Sequence, residues 1–256
     1  MSEENTGTTN IESTSPNGSV EKGLSGDYEL SIGSLFQDSW ALIQGRKLTC
    51  VIAVILLIVS IGAINFVAEF VLELISPASQ SGSPDASLQL EPSTGIAFVI
   101  QLIVLMVSTP INVGLTLLGI KLVSGQEAQP TSIFEYFPHT IKLFLLMVTM
   151  YILVFIGFLL LVIPGLYLGI AYIYAPALMV EKNMGIWEAL ETSRKTVTHK
   201  WFTVFFTVLL LLIVIFISSL PVLIGLIWTL PLAVMLTGLM YKQMFGIETT
   251  NAIQNI

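Results

Sequence analysis

The chain has 256 residues, 54% of them apolar and 11% charged, at a mean hydropathy of +0.86. That composition lies outside the range of soluble domains and excludes an ordinary water-soluble enzyme. The net charge of −7 is weighted to the front, since seven of the seventeen carboxylates precede Ser39. The single cysteine, Cys50, excludes an internal disulfide and a cysteine-rich metal centre.

In chain order, residues 1–30 are rich in Ser, Thr, Asn, Gly and Glu and poor in aliphatics. They cannot bury enough surface to offset the entropy of ordering, so a disordered cytoplasmic tail is expected. The tail has no basic segment followed by an apolar run and no myristoylation site, so the first spanning helix is expected to act as the targeting signal. Four stretches then lack any charged side chain: Leu48–Ala68, Ile96–Ile120, Leu143–Val180 and Trp201–Tyr241. Each reaches the ~20 residues that cross a bilayer. Leu48–Ile75 reads as helix one and Ile96–Val123 as helix two, with the polar segment Ser76–Pro92 between them as an exposed loop. Leu143–Val180 is too long for one crossing and is expected to reverse at Pro164-Gly165, giving helices Ile141–Ile163 and Leu166–Val180. Trp201–Tyr241 is expected to break at Ser218–Pro221 in the same way. The predicted fold is all-α: a polytopic membrane bundle of six transmembrane helices arranged as three hairpins.

Charge placement supports both termini on the cytoplasmic side, because Lys and Arg near helix ends are retained there. Lys22, Arg46 and Lys47 precede helix one, Lys121 and Lys142 lie between two and three, Lys182, Arg194, Lys195 and Lys200 between four and five, and Lys242 follows six. A bacterial inner (cytoplasmic) membrane, multi-pass location is expected, with residues 246–256 as a cytoplasmic tail.

Three tetrapeptides of one pattern precede the hairpins: Ser34-Leu35-Phe36-Gln37, Ser132-Ile133-Phe134-Glu135 and Gly185-Ile186-Trp187-Glu188. They divide residues 31–245 into a threefold repeat of 31–123, 130–180 and 183–245. The first two fit a capping box. Each repeat is expected to open with a cytoplasmic, interfacial amphipathic helix. The third is the clearest, with Trp187, Leu190, Arg194, Val197 and Trp201 on one face and Glu191 placed to pair with Lys195.

Three sets of side chains are candidates for function. Pro110, Asn112 and Gly114, with Gln101 upstream, put a proline break and an amide near the middle of helix two, where unpaired polar groups are costly and transporters bind substrates. Glu69 and Glu73 form a carboxylate pair near the outer headgroups. Arg46, Lys47, His139, Lys142, Arg194, Lys195, His199 and Lys200 lie at the inner boundary, placed for anionic phospholipid headgroups. No phosphate loop, zinc-protease or hydrolase-elbow signature occurs, and no metal site, cofactor or nucleic-acid partner is implied.

Several segments carry a family resemblance: Leu122-Val123-Ser124-Gly125-Gln126, Ile163-Pro164-Gly165-Leu166, the run from Ala175 to Trp187, and Ser193-Arg194. Together they resemble the YciC-type family of bacterial inner-membrane proteins and the membrane domain found ahead of some glycerophosphodiester phosphodiesterases. The resemblance spans most of Leu35–Tyr241 and implies a polytopic inner-membrane protein. It implies no catalytic residues. The favoured reading is a non-enzymatic membrane factor acting through its bundle and interfacial helices. A transporter or lipid-handling protein with a midplane site is the alternative, and a lipid-modifying enzyme the third. A protein partner and the oligomeric state are left open.

Overall fold

The computed structural model describes residues 18–75, 92–220 and 225–247. Those residues form helices and turns, with no strand among them. The helices are α1 (Val20–Ser25), α2 (Ile32–Ile43), α3 (Lys47–Ile75), α4 (Pro92–Val123), α5 (Thr140–Leu160), α6 (Val162–Ala171), α7 (Ala175–Glu181), α8 (Ile186–His199), α9 (Trp201–Ser219) and α10 (Leu226–Phe245). Two 3₁₀ turns, Pro130–Phe134 and Phe137–His139, join α4 to α5. Among the described residues, five helical stretches are long and apolar enough to cross a membrane: Lys47–Ile75, Gly95–Val123, Pro130–Leu160, Val162–Glu181 and Trp201–Ser219.

Burial is uneven along these helices. α3 buries Cys50, Ala53 and Val54 and then exposes Phe66, Phe70 and Leu74. α9 likewise buries Val204, Thr207 and Leu211 and exposes Phe216 and Ile217. The buried residues of each helix lie toward its basic flank, while large apolar side chains are exposed along its whole length, Leu48 and Phe202 among them. An apolar surface of this extent is what hydrocarbon, not water, accommodates. α10 is the exception, buried from Thr229 almost continuously to Phe245, with α4, α2, α3, α9 and α1 around it. It meets α4 where Gly119 faces Gly238, and a methyl group on either glycine would collide with backbone of the other helix. Small residues at a crossing allow this approach.

Several expectations need correction. Residues 18–30 are ordered: Ser19 caps α1 by accepting the Lys22 N–H at 3.1 Å, and the buried Tyr28 donates its hydroxyl to the Thr196 carbonyl at 2.7 Å. The expected tail of residues 1–17, most of the 76–92 loop and residues 248–256 lie outside the described residues. The reversal after α5 is at Leu161, which is extended (φ −164°, ψ 155°), and not at Pro164-Gly165. Pro164 instead lies in the first turn of α6, where its missing N–H is not needed. The predicted helix Leu166–Val180 is two helices, broken at Tyr172–Tyr174 just before Pro176.

The three tetrapeptides adopt three different local structures. α2 starts at Ile32, so Ser34 lies inside it and bonds Ser31 O at 3.1 Å without forming a capping box. Ser132 is in a 3₁₀ turn, its hydroxyl buried and without a bond in the structure. No amphipathic α-helix precedes α5, because Pro130 and Pro138 each remove a backbone donor from so short a segment. Only in the third repeat does Glu188 reach back to the Gly185 N–H, at 3.2 Å, and open a full helix.

Two contacts revise the arrangement of upright hairpins. Tyr167, six residues past the α5–α6 reversal, touches Thr198 and Trp201 at the α8–α9 junction. Lys47, at the start of α3, places its ammonium 3.8 Å over the Trp228 ring near the start of α10. Upright crossings would separate the partners of each contact by roughly the ~30 Å thickness of the hydrocarbon.

Candidate functional site

The expected midplane site does not assemble. Pro110 and Gly114 are packed inside, with Gly114 so close to the Ile133 carbonyl that no side chain fits. Gln101 and Asn112 are exposed on the opposite side of α4. The Asn112 amide donates to Ser108 O of its own helix at 2.9 Å and not to a neighbouring helix. Hydroxyls saturate the same turn, with Thr109 bonding Leu105 O at 2.6 Å and Ser108 bonding Val104 O. Glu69 and Glu73 are exposed at the far end of α3 and have no ion pair among the described residues. A cavity of about 410 Å³ between the far halves of α3 and α4 is lined by apolar residues such as Ala63, Val67, Ile103 and Val107, and neither glutamate lines it.

The eight candidate headgroup residues separate into two groups. Four are engaged within the protein: Arg46 donates to Leu122 O at 2.7 Å, Lys47 covers Trp228, and Arg194 and Lys195 share Glu191. Arg194 grips that carboxylate with Nε at 3.0 Å and Nη2 at 2.7 Å. The two bonds raise the Arg194 pKa, and the same contact holds the Glu191 carboxyl below the usual carboxylate range. The other four are His139, Lys142, His199 and Lys200. Lys142 and Lys200 have no ion pair among the described residues, and His139 Nδ1 is buried without a bond. His199 Nε2 lies 3.0 Å from the Leu24 carbonyl of α1. Because a carbonyl only accepts, the ring proton is on Nε2 when His199 is neutral.

The best-formed site lies where α6 meets the α8–α9 junction. α8 turns its small and hydroxyl face inward, burying Ala189, Thr192, Ser193 and Thr196, which lets α6 lie close alongside it. Ser193 donates to Ala171 O at 2.7 Å, fixing that alignment. The Thr198 hydroxyl gives its one proton to Arg194 O at 2.6 Å, so the Tyr167 hydroxyl must be the donor in its 2.6 Å contact with Thr198 Oγ1. Trp201 closes the junction, with its indole N–H donating to Tyr167 O at 3.2 Å and its ring stacked on Phe205. A cavity of about 460 Å³ opens here, lined by Lys200 and His199 together with Ile163, Leu166 and Phe202.

Helical spacing over residues 187–201 pointed to Trp201, and the basic pair at the inner boundary to Lys200, but nothing pointed to Tyr167, because nothing in α6 marks a partner 31 residues downstream. The Lys121–Glu135 ion pair, at 2.8 Å, was hidden for the same reason: it spans a proline-containing loop. In comparisons with known proteins, no family model, curated protein or solved structure matches the chain.

Proposed function

We propose that the protein is a multi-pass integral membrane factor, without enzymatic activity of its own, that acts from the cytoplasmic face of a bacterial inner membrane. The observation that carries this reading is the division of surface. Large apolar side chains are exposed along the long helices, whereas the basic residues lie near the helix ends or on the segments that join them. We read the helix pairs α3–α4, α5–α6 and α9–α10 as each returning to the side from which it leaves. The termini therefore share the cytoplasmic side with the basic flanks, whatever depth each tip reaches. The α5–α6 tip, Phe158–Ile163, is apolar throughout, and Ile163 is 79% exposed. We read it as ending within the bilayer, because six consecutive apolar side chains are costly to expose to water. The resemblance to YciC-type inner-membrane proteins agrees with this location. Transport through the helix-two break draws no support from the geometry, since its polar groups do not converge.

The test is an alkaline carbonate wash of membranes from cells producing the full chain. The protein is expected to stay in the pellet with integral controls. Release into the supernatant would refute the reading.

A further inference from the structure

We propose that the cavity between α6 and the α8–α9 junction binds one anionic phospholipid, its phosphate on Lys200 and the first part of an acyl chain along Ile163, Leu166 and Phe202. The proposal rests on the membrane reading above and goes beyond it by naming a discrete site in place of general attraction to the leaflet. Three observations converge. The cavity volume of about 460 Å³ lies in the range of small-molecule sites, and its lining combines polar groups of the α8–α9 junction, Thr198, His199 and Lys200, with the apolar Ile163 and Leu166 of α6 and Phe202 of α9. Lys200 is half-buried with no ion pair among the described residues. By contrast, Arg46, Lys47, Lys121, Arg194 and Lys195 all have partners within the protein. A cation held beside an apolar wall selects a ligand with an anion joined to a hydrocarbon. At a membrane boundary that describes a phospholipid, and a free phosphate would leave the wall unused. Trp201 at the mouth is the residue type that settles at the headgroup level.

The test uses the full-length protein, delipidated in a mild detergent, with binding read by native mass spectrometry. A second readout is quenching of Trp201 by brominated lipid, with the other tryptophans changed to phenylalanine. The probes are phosphatidylglycerol, phosphatidylcholine and the chain-free headgroup glycerophosphoglycerol. Phosphatidylglycerol is expected to bind at one site and to quench Trp201, phosphatidylcholine to bind at least tenfold more weakly, and glycerophosphoglycerol not to bind. Lys200→Gln is expected to lower phosphatidylglycerol affinity roughly tenfold, or about 1.4 kcal/mol. Lys200→Arg should restore most of that affinity, and Lys195→Gln, outside the cavity, should leave it unchanged. Phe202→Ala gives a second route should Lys200→Gln fail to fold, and is expected to weaken phosphatidylglycerol severalfold. Equal binding of both lipids, tight binding of the chain-free headgroup, or equal losses from Lys195→Gln and Lys200→Gln would overturn the site. Those failures are distinct from failure of the membrane reading, which the carbonate wash reports independently.

Discussion

Tyr28 shows how one residue ties a polar segment to the helical bundle. Its ring is buried against α8 and its hydroxyl reaches Thr196 O, and burial pushes its pKa up to about 12. Tyr28→Phe keeps the ring and leaves the carbonyl unpaired, so a loss of about 1 kcal/mol is expected. Thermal unfolding of the purified protein in detergent measures it. No loss would mean that this hydrogen bond contributes nothing to the fold. Residue type alone did not mark Tyr28, because one aromatic among Ser, Gly and Glu gives no periodicity. Asn112 misled in the opposite direction. An amide in an apolar run signals a polar partner, but a helix offers one of its own at i−4, and Ser108 O takes that role.

At the scale of elements, α8 is held in shape by charge as well as by packing. Glu191 pairs with Arg194 at 2.7 Å and with Lys195 at 3.4 Å. Its folded pKa is lowered, chiefly by the hydrogen bonds from Arg194. A carboxylate whose folded pKa lies below its unfolded value stabilises the fold above the unfolded value, and that stabilisation is lost as the pH falls through the folded one. The contribution is therefore complete at neutral pH and disappears below about pH 4. Glu191→Gln should cost roughly 0.5 kcal/mol at pH 7, as partly exposed helix pairs do. It should also flatten the acid limb of the stability profile, as unfolding measured from pH 7 to pH 3 will show. An unchanged acid limb would remove this pair as a source of stability. The helix itself was legible from its three-and-four spacing, as were α3 and α4 from their uncharged length. The second interfacial helix was expected and is replaced by 3₁₀ turns, since the tetrapeptide pattern carries no information about Pro130 and Pro138 beside it. Composition raised the expectation of headgroup contact at the inner boundary. The partners that engage Arg46 and Lys47 depend on tertiary contacts with Leu122 and Trp228, which no local pattern encodes.

For the whole molecule, the open question is how deep the α5–α6 hairpin goes. Charge counting placed its tip outside because Leu143–Val180 is long enough for two crossings, and length is all that such counting uses. The contacts add a second constraint. α5 has 21 residues, or ~31 Å of axis, yet Tyr167 beyond its end is bonded to Thr198 and Trp201. If Trp201 lies at the cytoplasmic boundary, the tip cannot also lie at the far surface, and α5 must be strongly inclined within the bilayer. The tip sequence Phe158–Ile163 fits that position, having no polar side chain to offer an aqueous loop. A cysteine at Leu161, in a Cys50→Ala background, distinguishes the two arrangements in intact cells treated with a membrane-impermeant maleimide. Leu161→Cys is expected to stay unlabelled from outside, as is Glu248→Cys, whereas Asp85→Cys between α3 and α4 should react. Labelling of Leu161→Cys as fast as Asp85→Cys would restore the upright hairpin. It would also require Tyr167 and Trp201 to part in the membrane, and the cavity that their contact closes would part with them.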